Sequence, residues 1–152
     1  MLGIRYLNAH DTTFIAEYYH NGAGYDRGQI KDFFSFQESA VEAGLSTGND
    51  SLIRYAAEIN RSYHRQINFG RDYFYLKITQ KEPLGILYFN PWAGMVMNLN
   101  DGSFSFQPGL TWAPVTDLEI NLRIGIPMGA EKSEFGEKPD SLRPEFWLRY
   151  YF

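Results

Sequence analysis

The sequence contains no cysteine, few charged residues and no long apolar run, and each shortage excludes a class of protein. Without cysteine the chain can form no disulfide framework, no cysteine metal site and no catalytic thiol. Charged residues make up 21% of the 152 residues and the net charge is -4, so the basic footprint of a nucleic-acid-binding protein is missing. No stretch of about 18 apolar residues is present, and the sequence therefore predicts no membrane-spanning helix.

Aromatic residues, by contrast, are abundant, at 17% of the chain with 11 Tyr and 12 Phe. This composition excludes an intrinsically disordered chain, which would combine few aromatic residues with much charge. The length is enough for one domain with its own core. We therefore expect a single folded domain over residues 1–152.

Apolar and polar residues alternate along most of the C-terminal half, which is typical of strands with one apolar and one polar face. In residues 116–127 the apolar positions are Leu118, Ile120, Leu122, Ile124 and Ile126. The same pattern predicts strands at residues 2–7, 12–19, 72–80, 93–100, 103–112, 116–127 and 143–152. Residues 84–89 are ambiguous and could form an eighth strand.

Among the segments that separate these strands, two are predicted tight turns and one is a long insertion. Asp101-Gly102 predicts a hairpin turn, since both residues tolerate positive φ, and the proline in residues 113–115 predicts a second tight turn. In residues 21–70 the period changes to that of helices. We expect an insertion with two helices at 29–43 and 51–67, the second capped by Asp50 or Ser51.

Three features indicate that the apolar face contacts lipid. The predicted strands are about nine to twelve residues long, enough to cross a bilayer when tilted. Aromatic residues lie near strand ends, as in the interfacial girdles of membrane barrels: Trp92, Phe104, Trp112, Phe146, Tyr150 and Phe152. The opposite face carries charges of both signs and is predicted to line a water-filled interior: Arg5, Glu17, Lys77, Glu119, Arg123, Glu145 and Arg149.

The C-terminus resembles the terminal strand of bacterial outer-membrane β-barrel proteins, which ends at an aromatic residue preceded by apolar residues at alternate positions. Phe146, Leu148, Tyr150 and Phe152 match this pattern. The resemblance implies a location in the outer membrane of a Gram-negative bacterium and recognition of this strand by the barrel-assembly machinery. The predicted fold is all-β: an antiparallel up-and-down transmembrane β-barrel segment of about seven or eight strands, with the helical insertion at 21–70.

The same resemblance predicts whether these strands make up a whole barrel. Bacterial barrels of this kind have an even number of strands and both chain ends in the periplasm. With the last strand running toward the periplasm, residues 128–142 become an external loop and Met1 also lies outside. Seven strands then indicate the C-terminal portion of a larger barrel, or a homo-oligomer that shares strands. A separate strand at 84–89 would weaken this expectation.

No pattern in the sequence predicts catalysis, a metal site or a cofactor. His20 has no serine that can be placed beside it, and His10 and His64 are too scattered to hold a metal ion. The glycines after His20 do not match a nucleotide-binding loop. Residues 98–102 lack the late glutamate of a calcium loop, so a plain hairpin is expected. Phe33, Phe34 and Phe36 either pack the helices together or line a ligand path.

The predicted function is that of a porin-like passive channel for ions or small solutes, without enzymatic activity. In a channel, the interior charges would set ion preference. If the same charges instead form salt-bridged pairs that fill the interior, the protein is a plugged barrel acting as an anchor or surface receptor. A third reading is a soluble, lipocalin-like ligand binder, in which the apolar face would point inward.

Overall fold

The computed structural model describes residues 1–48, 50–64 and 69–152, and they form one antiparallel sheet with a helical insertion. Each strand pairs with its neighbours in the sequence, so the sheet is a meander. The strands are β1 Leu2–Leu7, β2 Thr12–His20, β3 Asp72–Gln80, β4 Phe89–Asn98, β5 Phe104–Val115, β6 Leu118–Met128 and β7 Arg143–Tyr150. Two helices lie between β2 and β3: α1 Arg27–Thr47 and α2 Asp50–His64.

The sheet is open. The predicted up-and-down arrangement of about seven antiparallel strands is confirmed, whereas the predicted all-β class is wrong. Strand pairing joins consecutive strands from β1 to β7, and no pairing joins β7 to β1 within the described ranges. The protein is not all-β, because α1 and α2 contribute 21 and 15 residues of helix. In a meander of seven antiparallel strands the first and last run in the same direction. These two edges therefore cannot close the sheet by antiparallel pairing with each other.

The strand register confirms that the alternating pattern divides the sheet into two faces. One row across six strands contains only apolar residues: Ile4, Ala16, Leu76, Met95, Phe106 and Ile126. A neighbouring row on the other face is mixed and more polar: Glu17, Tyr75, Val96, Ser105 and Pro127. We call the face with the first row the apolar face and the face with the second row the polar face.

Two predicted connections differ from the structure. Residues 83–85 form a 3-10 turn in which Leu84 has a φ of 60°, so residues 84–89 are not an eighth strand and β4 begins at Phe89. Strand β5 continues to Val115, past the turn predicted at 113–115, because its register with β6 shifts between Trp112 and Val115. Such a β-bulge adds a residue without ending the strand. The chain reverses at residues 116–117 instead.

The helices begin and end where capping chemistry allows. The Asp26 carboxylate accepts a hydrogen bond from the Gln29 backbone N–H at 3.0 Å, and the Gln29 side chain accepts one from the Asp26 N–H at 3.0 Å. This capping box places the start of α1 earlier than the predicted residue 29. Gly48, in the left-handed region, ends the helix. Asp50, one of the two predicted caps, is the first residue of α2, and the predicted extension to residue 67 falls outside the described residues.

The main buried apolar cluster among the described residues lies in the insertion. Ile30 and Phe69 are fully buried, with Phe33 and Phe34 packed against them. The Phe33 and Phe69 rings are 5.1 Å apart between centroids, and Phe36 meets Tyr55 of α2 at 5.9 Å. These phenylalanines therefore pack the insertion together, which was one of their two predicted roles.

Candidate functional site

The apolar face of the sheet carries large side chains that the described residues leave accessible. Leu2 and Ile4 on β1 are 75% and 70% exposed, and Phe146 and Leu148 on β7 are 59% and 58% exposed. Side chains on the inner strands are accessible as well, since Phe106 and Leu122 are 39% and 40% exposed. A contiguous apolar surface of this extent is unusual for a soluble monomer and marks a contact with lipid or protein.

All seven charged residues predicted to line an interior lie on the polar face. Their positions follow from the register, in which Arg5 and Lys77 flank Ile15 and Glu17 faces Tyr75. The remaining four form two cross-strand ion pairs: Arg123 with Glu145, and Arg149 with Glu119 at 3.3 Å. The structure therefore brings together opposite charges from β6 and β7.

Aromatic rings on the polar face are covered by cations. The Lys77 ammonium lies 4.6 Å from the centre of the Trp92 ring, and the Arg123 guanidinium lies 5.3 Å from that of Trp147. Such contacts favour a charged side chain over a neutral one at these positions. Apolar and charged groups are thus interleaved on this face, whereas the middle of the other face is apolar and its polar pairs, Thr12 with Gln80 and His20 with Asp72, lie at the ends of β2 and β3.

The loop between β6 and β7, residues 129–142, folds over one end of the polar face. The Glu134 N–H donates to Asp101 Oδ2 at 2.8 Å, and the Phe135 N–H donates to Ser103 Oγ at 3.2 Å. Lys132 of the loop forms an ion pair with Glu38 of α1 at 2.7 Å. This contact raises the pKa of Lys132, chiefly through the hydrogen bond to Glu38. The β6–β7 loop and the helical insertion therefore meet at the same end of the sheet.

A buried polar network anchors the β6–β7 loop. Oε2 of Glu134 accepts hydrogen bonds from the Tyr73 hydroxyl at 2.5 Å and from Asn98 Nδ2 at 2.8 Å. The Gly70 N–H donates in turn to the Tyr73 oxygen at 2.6 Å. Tyr73, Asn98 and Glu134 are all buried. Burial raises the pKa of Glu134, although the two hydrogen bonds act in the opposite direction.

A cavity of about 530 Å³ lies between the β6–β7 loop and the polar face. Tyr73 and Glu134 form part of its wall. Its other charged lining residues come from both sides: Arg123, Arg143 and Glu145 from the sheet, and Lys138 and Asp140 from the loop. A cavity with charges of both signs is suited to water and small polar solutes rather than to an apolar ligand.

No pattern in the sequence predicts a role for Glu134 or Tyr73. The hairpin predicted around Asn98 is confirmed, since Gly102 has a φ of 79° and donates its N–H to the Asn98 backbone oxygen at 2.9 Å. The three residues of the network are far apart in sequence. A pattern of local spacing could not have connected them.

His20 has a partner that the sequence did not reveal. Its Nδ1 lies 2.7 Å from Asp72 Oδ1, which also accepts a hydrogen bond from the Tyr18 hydroxyl at 2.5 Å. An oriented histidine is one part of a catalytic pair, but no nucleophilic side chain hydrogen-bonds to His20 in the part of the chain that the structure describes. No group of acidic residues and histidines suited to a metal ion occurs among those residues.

The sequence predicts no site at the other two histidines, His10 and His64. His10 lies in the β1–β2 turn, where its N–H donates to Asn8 Oδ1 at 2.9 Å. The side chain of His64 lies outside the described residues. Phe146, Leu148 and Tyr150 all belong to the apolar face of β7, and Phe152 follows the strand fully exposed.

In comparisons with known proteins, no family model, no curated protein and no solved structure matches the chain. Within the described ranges, none of the helices has the length and apolar character needed to cross a membrane.

Proposed function

We propose that the chain forms part of the wall of a bacterial outer-membrane β-barrel, which acts as a porin-like passive channel for ions or small solutes. The observation that carries this proposal is the exposed apolar face that crosses all seven strands. Strands β3 to β6 contain nine to twelve residues, enough to span a bilayer when tilted. Lipid chains would cover this face without any further protein layer.

The polar face supports an aqueous interior. Its ion pairs leave mixed charges in contact with solvent, and side chains of this kind control which ions enter a pore. The β6–β7 loop and its cavity lie on this same face, where they would narrow the path without closing it. Ions and small hydrophilic solutes are the species such a path would pass.

The two open edges require partners if the sheet is to become a barrel. Unpaired backbone groups in lipid cost several kcal/mol each, so both β1 and β7 need a neighbouring strand. Because β1 and β7 run in the same direction, an antiparallel barrel needs an odd number of additional strands. A ring of identical copies in one orientation would instead need a parallel junction between β7 and β1. The terminal Phe152 would serve recognition by the barrel-assembly machinery.

A plugged barrel, acting as an anchor or surface receptor, is the second candidate. It is favoured by the fact that the β6–β7 loop is fixed by hydrogen bonds over the polar face and is linked to α1 by the Lys132–Glu38 ion pair. A soluble ligand binder is a third possibility, and it would need the exposed apolar face to enclose the ligand. These candidates differ in conductance and in solubility.

The proposal is tested by reconstituting the purified native protein in a planar lipid bilayer. We expect discrete ion currents whose cation preference falls in Glu145→Gln, because Glu145 lies in the wall of the cavity. Asp117→Asn serves as the control, since Asp117 lies in the turn at the opposite end of β6. A membrane-inserted protein without current would favour the plugged barrel, and a protein that stays soluble without detergent would contradict both membrane readings.

A further inference from the structure

The buried carboxyl group of Glu134 attaches the β6–β7 loop to the sheet. Glu134 is 7% exposed, and both of its side-chain donors, Tyr73 and Asn98, bond to the same oxygen, Oε2. A proton can therefore be carried by Oε1 while Oε2 keeps both hydrogen bonds. The neutral carboxyl fits this site as well as the carboxylate in geometry, and it avoids the cost of burying a charge.

The charged and titratable groups around Glu134 come from three elements. Tyr73 of β3 donates its hydroxyl, and Asp101 in the β4–β5 turn places a second carboxylate nearby, where it accepts the Glu134 N–H. Lys138 of the loop itself is the positive charge that favours ionisation of Glu134. Burial and Asp101 raise the pKa of Glu134, whereas Lys138 and the two hydrogen bonds lower it, and the net direction is upward.

We propose that Glu134 is a proton-dependent latch, whose neutral carboxyl holds the β6–β7 loop over the polar face and whose ionisation releases it. Releasing the loop removes the cover of the cavity that contains Arg123, Arg143 and Glu145. In a channel, the path would narrow when the external solution is acidified. This last consequence rests on the proposed function, whereas the latch itself does not.

The direction in which loop docking changes with pH follows from the linkage between protonation of Glu134 and docking. A carboxyl group whose pKa is higher in the docked loop than in the released loop binds its proton more tightly when docked. Docking is therefore strongest below the pKa of the released carboxyl, and it weakens as the pH rises through the pKa of the docked one. Each unit between these two pKa values changes the docking equilibrium by a factor of about ten.

Access to a thiol placed beneath the loop measures docking directly, and no cysteine within these 152 residues competes with it. Ser105 lies in the cavity wall and is buried, so Ser105→Cys reports on release of the loop. The probe is the rate of alkylation by iodoacetamide in the folded native protein between pH 4 and 8. Each rate is divided by that of Ser46→Cys, an exposed position in α1, after correction of both for thiolate content.

We expect the normalised rate to rise with pH in the otherwise native protein. Glu134→Gln keeps an oxygen acceptor for both donors and cannot ionise, so its rate should stay low at every pH. Glu134→Ala removes the acceptor and should give a high rate at every pH, by roughly a factor of ten or more. Glu131→Gln, an exposed position on the same loop, should keep the native pH profile.

A normalised rate that does not change with pH, or a Glu134→Gln variant that follows the native profile, would overturn the latch. This readout needs no ion current, so the latch can fail while the channel is confirmed. If the alkylation profile is as expected but the bilayer shows no conductance, the proposed function fails and the latch stands.

Discussion

Replacement of Leu122 by arginine tests whether the apolar face contacts lipid or water. Leu122 is the fifth of eleven residues in β6, with Leu110 and Phe146 opposite it on the neighbouring strands, so it lies near the middle of the proposed membrane span. Arginine at the lipid face near the bilayer midplane costs about 2–4 kcal/mol. On a water-exposed surface the same kind of substitution usually changes stability by less than about 0.5 kcal/mol.

The matched control is Arg123→Leu, one residue away on the polar face. It removes the ion pair with Glu145 and the contact with Trp147, both partly exposed, and a pair of this kind is worth at most about 1 kcal/mol. The assay is urea unfolding of the native protein in lipid vesicles, followed by tryptophan fluorescence. Equal losses in the two variants, or no loss in Leu122→Arg, would refute the assignment of the two faces.

Three further predictions concern other parts of the chain. Phe152→Ala should slow assembly into the outer membrane in a pulse-chase experiment while Tyr151→Ala does not, and equal rates would count against the terminal-strand resemblance. Asp26→Ala removes the capping box of α1 and should lower helix stability by about 0.5–2 kcal/mol, seen as faster amide exchange in the first turn of α1. Gly24→Ala should loosen the insertion, because its new Cβ would overlap the backbone of Gly70, and limited proteolysis between β2 and β3 should then become faster.

The strands and their faces could be predicted because a period of two is a local property. β1 and β3 begin and end where the alternation indicates, and the seven charged residues share one face. The turn at residues 113–115 was wrong, since proline in a sequence does not show whether a bulge will let the strand continue. Here the bulge carries β5 to Val115.

The buried network could not be predicted, because its contacts join distant positions. Glu134 is 61 residues from Tyr73 and 36 from Asn98, and it lies in an acidic segment that reads as a solvated loop. Only the folded sheet brings β3 and β4 beneath the β6–β7 loop. The pairing of His20 with Asp72 was missed for the same reason, since the helical insertion separates them in the sequence.

The most direct test of the account is a scan along β6 for contact with lipid. Single cysteines at each position of Leu118–Met128 would carry an environment-sensitive fluorophore, and brominated lipids would quench those that meet acyl chains. We expect quenching that alternates with a period of two. It should be strong at Ile120, Leu122 and Ile124 on the apolar face and weak at Asn121 and Arg123 on the polar face. Uniformly weak quenching along β6 would contradict contact between the apolar face and lipid. Strong quenching at Asn121 and Arg123 instead of Ile120, Leu122 and Ile124 would contradict it as well.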